Sequence, residues 1–124
     1  SRKEIREFMK PPEDLPVIQK TYDLIQWYIP HINKIPRSHR FGLGDRIVNN
    51  LYEMLEMLIE ARYRRDRREI LQSINISVEK LRYQTRLMKD FSIFNVQRYE
   101  FASRAILDIG RMLGGWIKQQ EAGR

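Results

Sequence analysis

Residues 45–109 contain neither glycine nor proline, 65 consecutive positions without either of the strongest helix breakers. All five prolines (Pro11, Pro12, Pro16, Pro30, Pro36) precede this stretch, and the six glycines (Gly42, Gly44, Gly110, Gly114, Gly115, Gly123) flank it. One straight helix over those residues would run ~98 Å at ~1.5 Å per residue, too long for a domain of this size. The chain must therefore turn without Gly or Pro, and two places offer the chemistry. Asp66 with Glu69 three positions on has capping-box spacing. Ser92 and Asn95 bracket a short loop, and Asn95 can cap the helix that follows.

Cutting at those places predicts four helices, over residues 15–34, from 37 or 43 to 63, over 67–90 and over 96–120. Pro16 suits a first turn, whereas Pro30 should kink or split the first helix, because its ring removes a donor and clashes with the preceding turn. Each helix carries an apolar stripe at helical spacing. The stripes read Ile18, Tyr22, Ile25, Ile29, Ile32; then Ile47, Leu51, Met54, Leu55, Leu58; then Leu71, Ile74, Val78, Leu81, Thr85, Met88; then Ala102, Ile106, Ile109, Leu113, Trp116. No useful strand-period alternation occurs. With 42% hydrophobic residues the chain can bury a core. The expected architecture is all-α, an antiparallel up-down-up-down four-helix bundle over residues 14–124. Residues 1–13, with Pro11-Pro12 near their end, read as an arm outside it.

Enzyme chemistry finds little support. Without cysteine there is no disulfide, thiol nucleophile or zinc–thiolate site. His31 and His39 are the only histidines and sit in no metal-ligand motif. Glu53, Glu56 and Glu60 share a helix face, but one turned away from the apolar stripe, where bundle metal sites would need them inward. Gly42-x-Gly44 lacks the third glycine and preceding strand of a phosphate loop. The reading is a protein without catalysis, metal or cofactor. No apolar run approaches the ~18 residues that span a bilayer, and no signal-like segment follows the basic start. A cytoplasmic chain without membrane contact is expected, trimmed or processed because it starts at Ser1.

Charge is the stronger signal. The chain carries 23 Lys and Arg against 16 Asp and Glu, a net +7. Arg62, Arg64, Arg65, Arg67 and Arg68 put five arginines in seven residues at the second helix turn. A solvated turn whose cations complement a helix dipole competes there with a binding site. Arg82, Arg86 and Lys89 lie one above another on the third helix, flanking its apolar stripe. Arg104, Arg111 and Lys118 repeat every seven residues on the far side of the fourth, and Lys34, Arg37, Arg40 and Arg46 surround the first connection. Lines of cations on stiff helices can track a phosphate backbone, and arginine suits bidentate recognition. The aromatics fall mostly on or beside the core stripes, with only Tyr63 and Tyr83 close to basic groups, so recognition by shape and charge is expected. A second apolar line on the third helix, Ile76, Tyr83 and Leu87, calls for a covering partner. Ser103, Gly110 and Gly114 form a small-residue line that would allow close approach. Together they point to a homo-oligomer.

Several segments resemble one family. Tyr22-Asp23-Leu24 with Trp27, Pro30-His31 and Ile35-Pro36-Arg37-Ser38-His39-Arg40 look like the first half of the accessory variability determinant (Avd) proteins of diversity-generating retroelements. Leu81-Arg82-Tyr83 with Arg86-Leu87 is similar to the family's third-helix pattern, and Gly110-Arg111-Met112-Leu113-Gly114-Gly115-Trp116-Ile117 to its C-terminal signature. The resemblance covers about residues 16–118. It implies a four-helix bundle assembling as a pentameric barrel with a basic surface. It further implies binding to a reverse transcriptase and its template-repeat RNA, with cDNA a further candidate. The implied role is mutagenic retrohoming, in which RNA is copied into adenine-mutagenised cDNA. By position, Arg82 and Arg86 match family arginines at the polymerase or nucleic-acid contact, while Arg37, His39 and Arg111 match motif positions with either a binding or a structural role. A sister family, bundle proteins of ribosomal RNA intervening sequences, is a looser match and would associate with RNA without a polymerase.

Overall fold

The computed structural model describes residues 1–9 and 15–122. It is helical throughout, with no strand among the described residues. Helix α1 (Arg2–Met9) falls in the predicted arm, whose Pro11-Pro12 end lies outside the described residues. Helix α2 (Pro16–Ile32) is followed by the short α3 (Arg37–His39), a π-helical turn (Arg40–Gly44) and α4 (Asp45–Tyr63). Helices α5 (Arg68–Asp90) and α6 (Val96–Ala122) complete the chain. Helix α2 packs on α4 and α6, and α5 packs on the same two, so four long helices enclose a single core.

Pro16 occupies the first turn of α2. Pro30 neither ends nor splits that helix, which continues to Ile32. Only two helical residues remain beyond it, and the carbonyl it leaves without a donor belongs to Gln26, an exposed residue. The stripes of α4, α5 and α6 are buried as expected, apart from half-buried Leu55 and Trp116. The stripe of α2 is rotated by one residue. Val17, Thr21, Leu24, Tyr28 and Ile32 face the core, whereas Ile18, Ile25 and Ile29 are half-buried and Tyr22 is exposed. Two polar residues make that face viable. The Thr21 hydroxyl donates to Val17 O at 2.8 Å, and Tyr28 Oη pairs with Thr85 Oγ1 at 3.0 Å. That pair also accounts for the polar break in the α5 stripe. Burial raises the Tyr28 phenol's pKa above its ordinary value, against a smaller opposing pull from the Thr85 bond. Between α4 and α5, the Asn50 amide donates to Ser77 O at 2.9 Å and Gln84 Oε1 at 3.1 Å. Truncating a fully buried leucine such as Leu51 or Leu81 would cost ~2–5 kcal/mol.

The turns answer the breaker problem. At the end of α5, Ser92 adopts φ 60°, Ser92 N–H donates to Lys89 O, and Ile93 N–H donates to Met88 O, each at 2.9 Å. This is a Schellman motif with serine where glycine is usual. Asn95 then caps α6, its Oδ1 accepting from Arg98 N–H at 2.8 Å. At the other turn Asp66 does not form the expected capping box. Its Oδ1 accepts from Arg68 N–H at 3.2 Å, two residues on, because α5 starts at Arg68. In the π-helical turn, Asp45 N–H reaches back five residues to Arg40 O. Gly44 is buried there, and a Cβ on it would lie 3.1 Å from Ile35 Cδ1.

Candidate nucleic-acid and partner interface

The five-arginine turn divides into distinct jobs. Half-buried Arg67 closes the end of α4, its Nε donating to Ala61 O at 2.6 Å and an Nη to Arg62 O at 3.0 Å. Its guanidinium also lies 5.6 Å from the centre of the Trp116 ring. Both carbonyls belong to the last turn of α4, where Ala61 O also accepts from Arg64 N–H at 3.3 Å, so Arg67 has a structural job there. Arg68 grips Asp66 through two side-chain bonds at 3.0 and 2.8 Å, which holds the Asp66 carboxyl down at about 2. Arg64 pairs with Glu60, and Arg62 lies over the Tyr63 ring. Arg65 is exposed and makes no ion pair among the described residues. Glu53 and Glu56 are likewise exposed, so the acidic face of α4 is solvated.

Arg40 is also a structural cation, donating to Asn33 O at 3.0 Å and Ile35 O at 3.3 Å after α2. Arg37 stays exposed, 5.9 Å from the Phe41 ring.

Arg82, Arg86 and Lys89 run along the seam between α5 and α6. An Nη of Arg82 would lie 3.9 Å from a Cβ on Gly110, and Lys89 Nζ sits 4.9 Å over the Tyr99 ring. Arg82 reaches Glu79 at 3.3 Å and Arg86 reaches Asp90 at 3.8 Å, both exposed pairs. Pairs of this kind contribute only ~0.2–0.5 kcal/mol, so an incoming phosphate can displace the carboxylates. Arg104, Arg111 and Lys118 are exposed opposite the buried face of α6, and none has an ion-pair partner among the described residues. The structure thus brings the α5 line against α6, keeps the α6 line on the outside, and places Arg37 and Arg40 at the opposite end from the five-arginine turn.

Ile76, Tyr83 and Leu87 are exposed on α5, with Tyr83 63% accessible. Gly110 faces Val78 and Arg82 of its own chain, and a Cβ on Gly114 would meet nothing within 4 Å.

The aromatics correct the sequence reading. Phe41, Phe91 and Phe101 are more than half exposed, and Phe41, Tyr99 and Trp116 join Tyr63 in contacting cations. Residues flanking a stripe by one position looked like core but face out. Sequence reasoning also missed Arg98, which lies in the first turn of α6 and acts electrostatically on His31. Its one signal was its place three residues after the capping Asn95.

Fold and charge together define a class, a helical bundle with arginine rows along its outer faces. The bAvd-like family model matches residues 15–120, essentially the whole bundle, and the chain belongs to this family of Avd-like proteins of diversity-generating retroelements. No curated protein matches the chain.

Proposed function

We propose that the chain is a non-catalytic accessory protein of a diversity-generating retroelement, binding a reverse transcriptase and RNA to support mutagenic cDNA synthesis. The family match over residues 15–120 carries this reading. Arg82, Arg86 and Lys89, with Arg104, Arg111 and Lys118, supply the polyanion and polymerase contacts. Arg37, Arg62, Arg64, Arg65 and Arg68 add charge at the two ends. In this reading the bundle is antiparallel, up-down-up-down, and assembles in the cytoplasm as a pentamer, with Ile76, Tyr83 and Leu87 covered by a neighbouring copy. The small residues Gly110 and Gly114 ease close packing.

Co-expression with the neighbouring polymerase gene provides the test. A complex stable at physiological salt is expected, weakened by Arg82→Ala with Arg86→Ala. Each lost phosphate contact should reduce the salt slope of RNA binding by about one unit. RNA binding without any polymerase complex would instead favour the intervening-sequence alternative. No binding to either would overturn both.

A further inference from the structure

A cavity of about 210 Å³ opens at the end of the bundle where α2 and α5 stop and α6 starts. Its polar lining is His31, Lys34, His39, Ser92 and Arg98, and among the described residues no carboxylate lines it. Elsewhere on the surface Arg64, Arg68, Arg82 and Arg86 each have an acidic partner, whereas Arg65, Arg104, Arg111 and Lys118 have none among the described residues but line no shared cavity with histidines. Lys34 and Arg98 have none among the described residues, and neither imidazole has a hydrogen-bond partner there.

The two rings are held by aromatic contact instead. His39 stacks on Phe91 at 5.3 Å with an interplanar angle of 18°, and His31 lies 4.5 Å from the Trp27 ring. Their N–H groups are therefore fixed in place yet unspent. The carbonyl-bearing ends of α2 and α5 also reach this pole, and they would repel an anion if left open. They are closed by backbone donors: Lys34 N–H to His31 O, Ile35 N–H to Ile32 O, and Ile93 and Phe94 N–H to Met88 O. Asp90, at the end of α5, is paired with Arg86. What remains is a concave site lined by one sign of charge, which concentrates the field.

We infer that this cavity binds a phosphate group, held by Lys34 and Arg98 and hydrogen-bonded by His31 and His39. Four donors lining one cavity, from α2, the link after it, α3 and α6, suit the several oxygens of a tetrahedral anion better than a planar carboxylate. The volume lies below the ~300–1,000 Å³ of pockets that engulf whole organic ligands, so the site takes one group. Burial together with the nearby Arg98 and Lys34 lowers the His31 pKa, and a bound dianion reverses that bias by linkage. The assignment does not depend on the polymerase reading, since inorganic phosphate tests it directly.

The chain's only two histidines both line the cavity, so imidazole NMR signals report on it alone. The full chain is titrated with inorganic phosphate, with sodium chloride at matched ionic strength, and with one RNA oligonucleotide bearing a 5′-phosphate or a 5′-hydroxyl. Phosphate should saturate shifts of both imidazoles and move the His31 titration upward. Arg98→Gln should weaken that binding about ten-fold, the loss of one charge-assisted bond, while Lys20→Gln, at a lysine outside the cavity that pairs with Asp108, leaves it unchanged. A stronger response to the 5′-phosphorylated RNA identifies a polynucleotide end as the source. No response to either RNA, with phosphate still binding, identifies the free anion, and equal responses identify a backbone phosphate. Shifts reproduced by chloride, or no saturable shift, overturn the assignment even where RNA binding by the helix faces persists.

Discussion

Arg67→Met tests whether the arginine-rich turn is partly architecture. The substitution keeps an apolar stem but removes the donors to Ala61 O and Arg62 O and the contact over Trp116. A half-buried cation bonding two helix-end carbonyls contributes ~1 kcal/mol per bond, and the aromatic contact ~0.5–1 kcal/mol. The expected loss is therefore ~2–3 kcal/mol. With an unfolding entropy of ~2.1 cal/mol/K per residue, that lowers Tm by ~8–12 °C. Arg65→Met, in the same turn but exposed, should stay within ~0.5 kcal/mol of the parent. Thermal melts at one fixed protomer concentration measure both, since assembly would otherwise shift the midpoint. Equal melting of the two variants would refute the division of labour.

Three further outcomes follow from the same geometry. Ser92→Gly relieves a left-handed backbone worth ~1–2 kcal/mol against a smaller unfolded-state entropy cost, so urea melts should show a gain of ~0.5–1 kcal/mol; a loss would contradict the Schellman assignment. Tyr28→Phe or Thr85→Val alone strands a buried hydroxyl at ~1–3 kcal/mol, whereas the double variant should cost less than the two combined; strict additivity in a double-mutant cycle would deny the bond. For His31 the lowered pKa means the unfolded chain takes up the proton first. Stability is complete above ~6.5 and falls as pH drops through that value toward the folded pKa, and His31→Gln should flatten this limb of a Tm–pH curve.

Much of the fold is legible in the chain. Helix limits, the Asn95 cap and three of four core faces follow from period and punctuation. The α2 face does not, because Thr21 and Tyr28 look polar until their partners Val17 O and Thr85 are known. Those partners are a carbonyl one turn back and a side chain 57 residues away, and a hydropathy count credits neither. The candidate interface divides in the same way. The rows on α5 and α6 can be counted off at helical spacing, but charge alone does not separate Arg67 and Arg40, bonded to backbone carbonyls, from exposed Arg65 and Arg37. The His31–Arg98 grouping joins residues far apart in sequence, and only the packing of α6 beside α2 assembles it.

The π-helical turn at Arg40–Gly44 works as a phase shifter in the rod formed by α3 and α4. Deleting a single residue within it would restore ordinary α winding and rotate everything upstream by ~100° about the axis. Arg40 would swing off the carbonyls it closes and His39 would leave Phe91, while the core contacts of α4 stayed in place. One surplus residue thus sets the bearing of a whole pole independently of the hydrophobic interior, giving sequence drift a way to re-aim that end without touching the packing.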